Sequence, residues 1–182
     1  MDFMNTLAQI IGIFGLAFNA FSFQQKNKRT LILLQLCGGF LFSIHFFMLG
    51  AYTGFLLNAL CVFRAIVYSR KNLNPKAVKI WFYVFTVLYF VSYALTFTVF
   101  NVEFTLFNAF IEFVPIVGMC FVTISFGMTS AGKIRAFSTI NSCSWLIYNI
   151  VHSSIGGIVC EVLSLISIVI GIIRYDLKKT KK

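Results

Sequence analysis

Two carboxylates, Glu112 and Glu161, stand inside long apolar runs, where an ionisable group needs a partner, water or a solute. An unpaired charge at that depth costs a few kcal/mol on insertion scales. At about 1.5 Å per helical residue, Glu112 lies roughly 12 Å and Glu161 roughly 9 Å from the outer ends of their runs. Asn108 and Glu112 are four residues apart and share a helix face, and Asn5 and Gln9 reproduce that spacing in the first run. With Gln9, Asn58, His45, Tyr148 and Asn149, the carboxylates make a polar layer in the outer half of a bilayer. One reading is a polar pathway whose carboxylates face a solute or a proton. The other is a hydrogen-bond network that holds helices together, at about 1 kcal/mol per polar group.

Arg64 is the third intramembrane charge, about 15 Å along its helix. Charge economy makes it a candidate partner for Glu112 or Glu161, and snorkelling to the inner headgroups is its alternative. His45 and His152 lie near the outer ends of their runs, where a helix contact or a proton relay would use them. Trp145 and Tyr148 sit on adjacent turns, as a stacking surface or as interfacial anchors. Pro115, three residues past Glu112, removes a helix hydrogen bond and is a candidate hinge or a static bend. No third ligand joins the histidines at a metal spacing, so neither a metal nor another cofactor is expected. No nucleophile elbow, phosphate loop or zinc-protease helix is present, and no enzyme is expected.

The elements that carry these residues are membrane spans. Hydrophobic residues make up 59% of the 182 and charged ones 11%, and mean hydropathy is +0.90, too apolar for a soluble domain of this size. A perpendicular helix needs roughly 20 residues to cross ~30 Å of hydrocarbon. Seven spans are predicted, at residues 5–23, 31–49, 54–68, 80–100, 104–126, 136–151 and 155–173. Pro75 is expected in the loop before the fourth, because proline cannot continue a helix. All fifteen Lys and Arg then fall on one side, in the loops after spans one, three and five, near the inner end of span three, and in the tail. Cytoplasmic segments collect such residues, which places the N-terminus outside and the C-terminus inside. The formal charge of +10 is explained by anionic headgroups rather than by nucleic acid, which needs a basic face on a soluble surface. The five cysteines form no CxxC pair and read as apolar packing residues. The first residues lack a basic start and a cleavage site, so the first run is expected to be retained.

The chain also resembles itself. An offset of 103 pairs Asn5 with Asn108, Gly15 with Gly118, Ser22 with Ser125, Gly54 with Gly157 and Leu60 with Leu163. The same offset matches Gln9 to Glu112, Phe42 to Trp145, His45 to Tyr148 and Asn58 to Glu161. Spans one to three thus map onto five to seven. The expected fold is an all-α transmembrane bundle of seven helices: a three-helix repeat (1–72), a linker helix (73–103), a second, parallel repeat (104–176) and a basic tail (177–182).

The segments Pro115-Ile116-Val117-Gly118, Trp145-Leu146-Ile147-Tyr148-Asn149 and Ser154-Ile155-Gly156-Gly157 with Glu161 carry a family resemblance. So do His45-Phe46-Phe47-Met48-Leu49-Gly50-Ala51-Tyr52 and Arg64 in the first half. Over nearly its whole length the chain resembles the YgjV family of bacterial inner-membrane proteins, for which no activity is established. It is similar, more distantly, to SWEET and PQ-loop transporters. That resemblance implies solute contacts at Phe42 and Trp145 and at Asn58 and Glu161. It departs from the pattern at Gln24-Gln25, where those transporters carry Pro-Gln, and in lacking hinge prolines other than Pro115. A sugar is therefore only an analogy.

The reading that joins these observations is a multi-pass protein of the bacterial inner membrane, a small-solute transporter or facilitator with the lipid bilayer and a small polar solute as partners. The alternative is a non-transporting scaffold. A homo-oligomer is compatible with either, although two repeats already supply the two bundles a cavity needs.

Overall fold

A computed structural model describes residues 3–22, 28–68, 74–125, 128 and 130–176 of the chain. Among these residues it is all-helical, without strands. The elements are α1 (Phe3–Ser22), α2 (Lys28–Met48), α3 (Tyr52–Tyr68), α4 (Pro75–Thr98), α5 (Leu106–Ser125), α6 (Ala131–Val151) and α7 (Ile155–Gly171), which continues as a π-helical turn over Ile172–Asp176. The expected basic tail, 177–182, and most of the expected loops after spans one and three lie outside the described residues.

Four helical segments are long and apolar enough to cross a membrane: Phe3–Phe21, Pro75–Thr98, Leu106–Ser125 and Ile155–Arg174. The apolar stretches of α2 and α3, Leu36–Met48 and Tyr52–Val67, are shorter. α3 also carries Asn58, Cys61 and Arg64 along one face.

Two boundaries differ from expectation. Pro75 belongs to α4 rather than to the loop: Asn74 caps the helix by accepting the Ala77 N–H at 2.7 Å, and Pro75 takes the first helical position. A proline is compatible there, because the amide it lacks would have no intrahelical partner anyway. α6 begins at Ala131, five residues ahead of the expected start, because Lys133 and Arg135 continue a helical backbone beyond its apolar part.

The helices pack as a closed ring. α1 lies against α2, α2 against α3, α3 against α5, α5 against α6, α6 against α7, and α7 against α1. α4 stands outside the ring, against α3 and α5. Phe14, Phe107 and Phe110 are exposed on the outside, while His45, Thr53, Arg64, Glu112, Thr123 and Asn149 are buried within. Apolar outside and polar inside is the arrangement that suits hydrocarbon as solvent.

The turns between α2 and α3 and between α6 and α7 share one geometry. Gly50 has φ +71° and Ser153 φ +53°. The next amide in each case closes back five residues, Ala51 N to Phe46 O and Ser154 N to Asn149 O, both at 2.9 Å. A left-handed residue closing a helix in this way is the Schellman arrangement.

Candidate functional site

A cavity of about 170 Å³ lies inside the ring, and all six ring helices line it. α2 supplies Phe42 and Phe46, four residues apart, and α3 supplies Asn58, Cys61 and Arg64 at intervals of three. From α6 come Asn141, Trp145 and Asn149, four apart, and from α7 come Gly157, Cys160 and Glu161. Asn19 of α1 and Met119 of α5 complete it. These spacings put each set on one helix face, as a lining requires. A larger, mostly apolar cavity of about 560 Å³ lies between α1, α6 and α7. It shares Asn19 and Cys160 with the first and is edged by Ser138, Ser142, Ser164 and Ser167.

The wall combines charged and amide side chains, most of them fixed by neighbours. Asn58 donates to the Gly54 carbonyl at 2.9 Å and is fixed against its own helix. Glu161 has the Ser142 hydroxyl as a hydrogen-bond partner. Arg64 donates to the Thr123 hydroxyl at 3.0 Å and to Tyr89 Oη at 3.3 Å. Tyr89 and Thr123 are themselves 3.0 Å apart, so the guanidinium ties α3 to α4 and α5. The side-chain oxygens of Asn141 and Asn149 are buried without a hydrogen-bond partner among the described residues. Both oxygens are closed off by surrounding protein atoms, Asn149 Oδ1 against Gly157.

Towards the α2–α3 and α6–α7 turns the cavity is closed by polar contacts. Tyr148 Oη accepts the Gly54 N–H at 2.9 Å and donates to Glu112 Oε2 at 3.2 Å. Glu112 Oε1 lies 3.1 Å from His152 Nε2, so the two side chains are hydrogen-bond partners. His45 Nδ1 is 2.7 Å from the Ala8 carbonyl, an acceptor only, which assigns the ring proton to Nδ1. Nε2 then accepts from the Ser154 hydroxyl at 2.7 Å. Gln9 donates to the Ser153 carbonyl at 2.8 Å and accepts from the Ile155 N–H at 3.0 Å, which ties α1 to the α6–α7 turn.

The structure thus divides the residues singled out in the sequence. Glu161, Asn58, Trp145 and Arg64 line the cavity. Glu112, Gln9, His45 and Tyr148 build the closure above it. Asn108 does neither: its amide donates to the Glu103 carbonyl at 2.8 Å, ahead of α5. Pro115 is buried within a single α5. Asn19, Asn141, Phe46, Cys61 and Cys160 are lining residues that sequence reasoning passed over. The recurrence of Asn141, Trp145 and Asn149 every four residues was the signal for Asn141.

Helices that are apolar outside and polar inside, several of them long enough to cross a bilayer, define a multi-pass helical membrane protein. Residues 6–179 match the Imp-YgjV family, described as bacterial inner membrane protein, and the chain belongs to that family. No curated protein and no solved structure matches the chain.

Proposed function

We propose that the protein is a transporter or facilitator for a small polar solute, built as a 3+1+3 arrangement of seven spans, with its N-terminus outside and its C-terminus cytoplasmic. The observation that carries this reading is the cavity at the centre of the ring, lined by Arg64, Glu161, Asn19, Asn58, Asn141 and Asn149.

Two parallel three-helix units, α1–α3 and α5–α7, are supported by the order of the ring. Exchanging α1 with α5 and α3 with α7 turns the α1–α7 contact into the α5–α3 contact. The offset of 103 seen in the sequence also relates Gly50 to Ser153, two of the three left-handed residues among those described. α4 then returns the chain so that both units run the same way. The hydrogen-bonded closure lies at the ends remote from the basic segments, and the serine-edged cavity opens on the other side of it. In this reading the state is inward-facing, and alternating access requires the closure to part.

Single cysteines at positions 58 and 161, in a background without native cysteines, test this in membrane vesicles. Small polar thiol reagents should modify both. Complete protection from both faces would leave the protein a scaffold.

A further inference from the structure

The larger cavity, between α1, α6 and α7, adjoins a second hollow towards the far end of α7, and Ser167 and Ile168 line both. The first, of about 560 Å³, is mostly apolar, with Leu16, Ala20, Leu163 and Ile168 in its wall. The second, of about 380 Å³, is walled in addition by Arg135, Ile170, Gly171 and Arg174. An apolar space thus leads to a dibasic one along one helix.

The apolar part faces hydrocarbon. α1 and α7 come together where a Cβ on Gly156 would meet the Gly12 backbone at 2.7 Å. Farther along, their residues line the cavity, and Leu163, 53% exposed, belongs both to its wall and to the outer surface. Val159, Val162 and Ile166 of the same helix are exposed beside it. The cavity therefore joins the surface that a membrane protein presents to lipid. An apolar void left empty forfeits packing contacts along its lining, and water needs several polar partners to settle in one. At about six non-hydrogen atoms per 150 Å³, the space holds roughly twenty, the size of one acyl chain.

The basic part selects the head. Arg135 lies across α7 at Gly171, where an added Cβ would stand 3.1 Å from its Cδ, so the glycine leaves room for the arginine stem. Arg174 stands on the π-helical turn that continues the same helix. A guanidinium presents five donors in a planar fork, so it can hold a phosphate while keeping another bond. Basic pockets between helices near a membrane surface take anionic head groups in this way. Free phosphate would use the arginines alone, whereas a lipid fills both spaces.

We propose that one anionic phospholipid is seated here, with an acyl chain between α1, α6 and α7 and its phosphate between Arg135 and Arg174. The site stands apart from the transport reading, because no residue of the hydrogen-bonded closure takes part in it.

The test counts lipids retained by the full wild-type chain in native mass spectra, after release from nanodiscs holding equal amounts of phosphatidylglycerol and phosphatidylcholine. One phosphatidylglycerol should be kept about 10-fold over phosphatidylcholine, whose choline cation meets the same two arginines. Arg135→Gln and Arg174→Gln should each remove most of that preference. Lys133→Gln, exposed on α6 and outside both spaces, should leave it unchanged. Ser164→Phe fills the chain cavity without touching either arginine and should lower retention of phosphatidylglycerol. Inorganic phosphate should displace none of it. Equal retention of the two lipids would overturn the assignment, and so would equal losses in Lys133→Gln and Arg174→Gln, which would mean diffuse charge alone. Full retention in Ser164→Phe, or displacement by inorganic phosphate, would leave a phosphate site and overturn the lipid.

Discussion

His45 and Tyr148, 103 residues apart, each reach across to the first turn of a helix in the other half of the ring. His45 meets the Ser154 hydroxyl at the start of α7 at 2.7 Å, and Tyr148 meets the Gly54 amide at the start of α3 at 2.9 Å. Each also bonds the first helix of its own half, at the Ala8 carbonyl and at Glu112. Both side chains are fully buried, so each of these groups depends on its partner.

Tyr148→Phe keeps the ring and removes both bonds. The buried Gly54 N–H loses its acceptor, which costs about 1–3 kcal/mol. The thermal midpoint should fall. Labelling of Cys61 by an impermeant thiol reagent added on the side of the α2–α3 turn should rise as the closure loosens. If the midpoint fell but Cys61 stayed as shielded as before, Tyr148 would be a packing residue rather than part of a gate.

Glu112 should tolerate one neutral replacement better than another. In Glu112→Gln the amide oxygen still accepts from Tyr148, and the amide nitrogen can donate to His152. Glu112→Leu leaves the Tyr148 hydroxyl without its acceptor and should be the more destabilising, by about 1–3 kcal/mol. In a double-mutant cycle with His152→Ala, the costs of Glu112→Leu and His152→Ala should fail to add by at least about 0.5 kcal/mol. Strict additivity would show that the 3.1 Å contact contributes nothing.

Gly156→Ala should destabilise by about 1–3 kcal/mol, despite the better helix propensity of alanine. The added Cβ would meet the carbonyl carbon and oxygen of Gly12 at 2.7 Å, and backbone cannot swing aside as a side chain does. Gly39→Ala is the control, since its Cβ meets only a Val62 methyl at 3.2 Å. Equal midpoints for the two variants would contradict the close crossing of α1 and α7.

The sequence was most legible where the physics is one-dimensional. Seven helices follow from the apolar runs, and Glu112, Glu161, Arg64 and His45 stand out because hydrocarbon makes them expensive. Partners were harder to read, because they depend on how helices rotate about their axes. Arg64 reaches Tyr89 and Thr123, on two helices that no spacing connects to it. Glu112 takes His152 because α5 and α6 run antiparallel side by side, which places the end of one beside the start of the other. The partnerless oxygens of Asn141 and Asn149 are properties of a packed interior, and polar residues in a sequence carry no mark of whether they are satisfied. Pro75 was misplaced for a different reason: the same residue that stops a helix also starts one.

The position of α4 makes the two seams of the ring unequal. Across α3 and α5, α4 acts as a spine, held by Thr53 to Thr96 at 2.7 Å, by Arg64 to Tyr89, and by Tyr93 to the Ala109 carbonyl at 3.1 Å. Across α1 and α7 no third helix packs among the described residues; Gly12 lies close to Gly156, and Gln9 bonds Ser153 in the turn and Ile155 at the start of α7. If α1–α3 and α5–α7 move as two units, as proposed, they are bound like the covers of a book, with α4 at the back and α1 and α7 as the fore-edge. A disulfide fastening the fore-edge should stop any cycle of opening, while one along the spine should leave it turning.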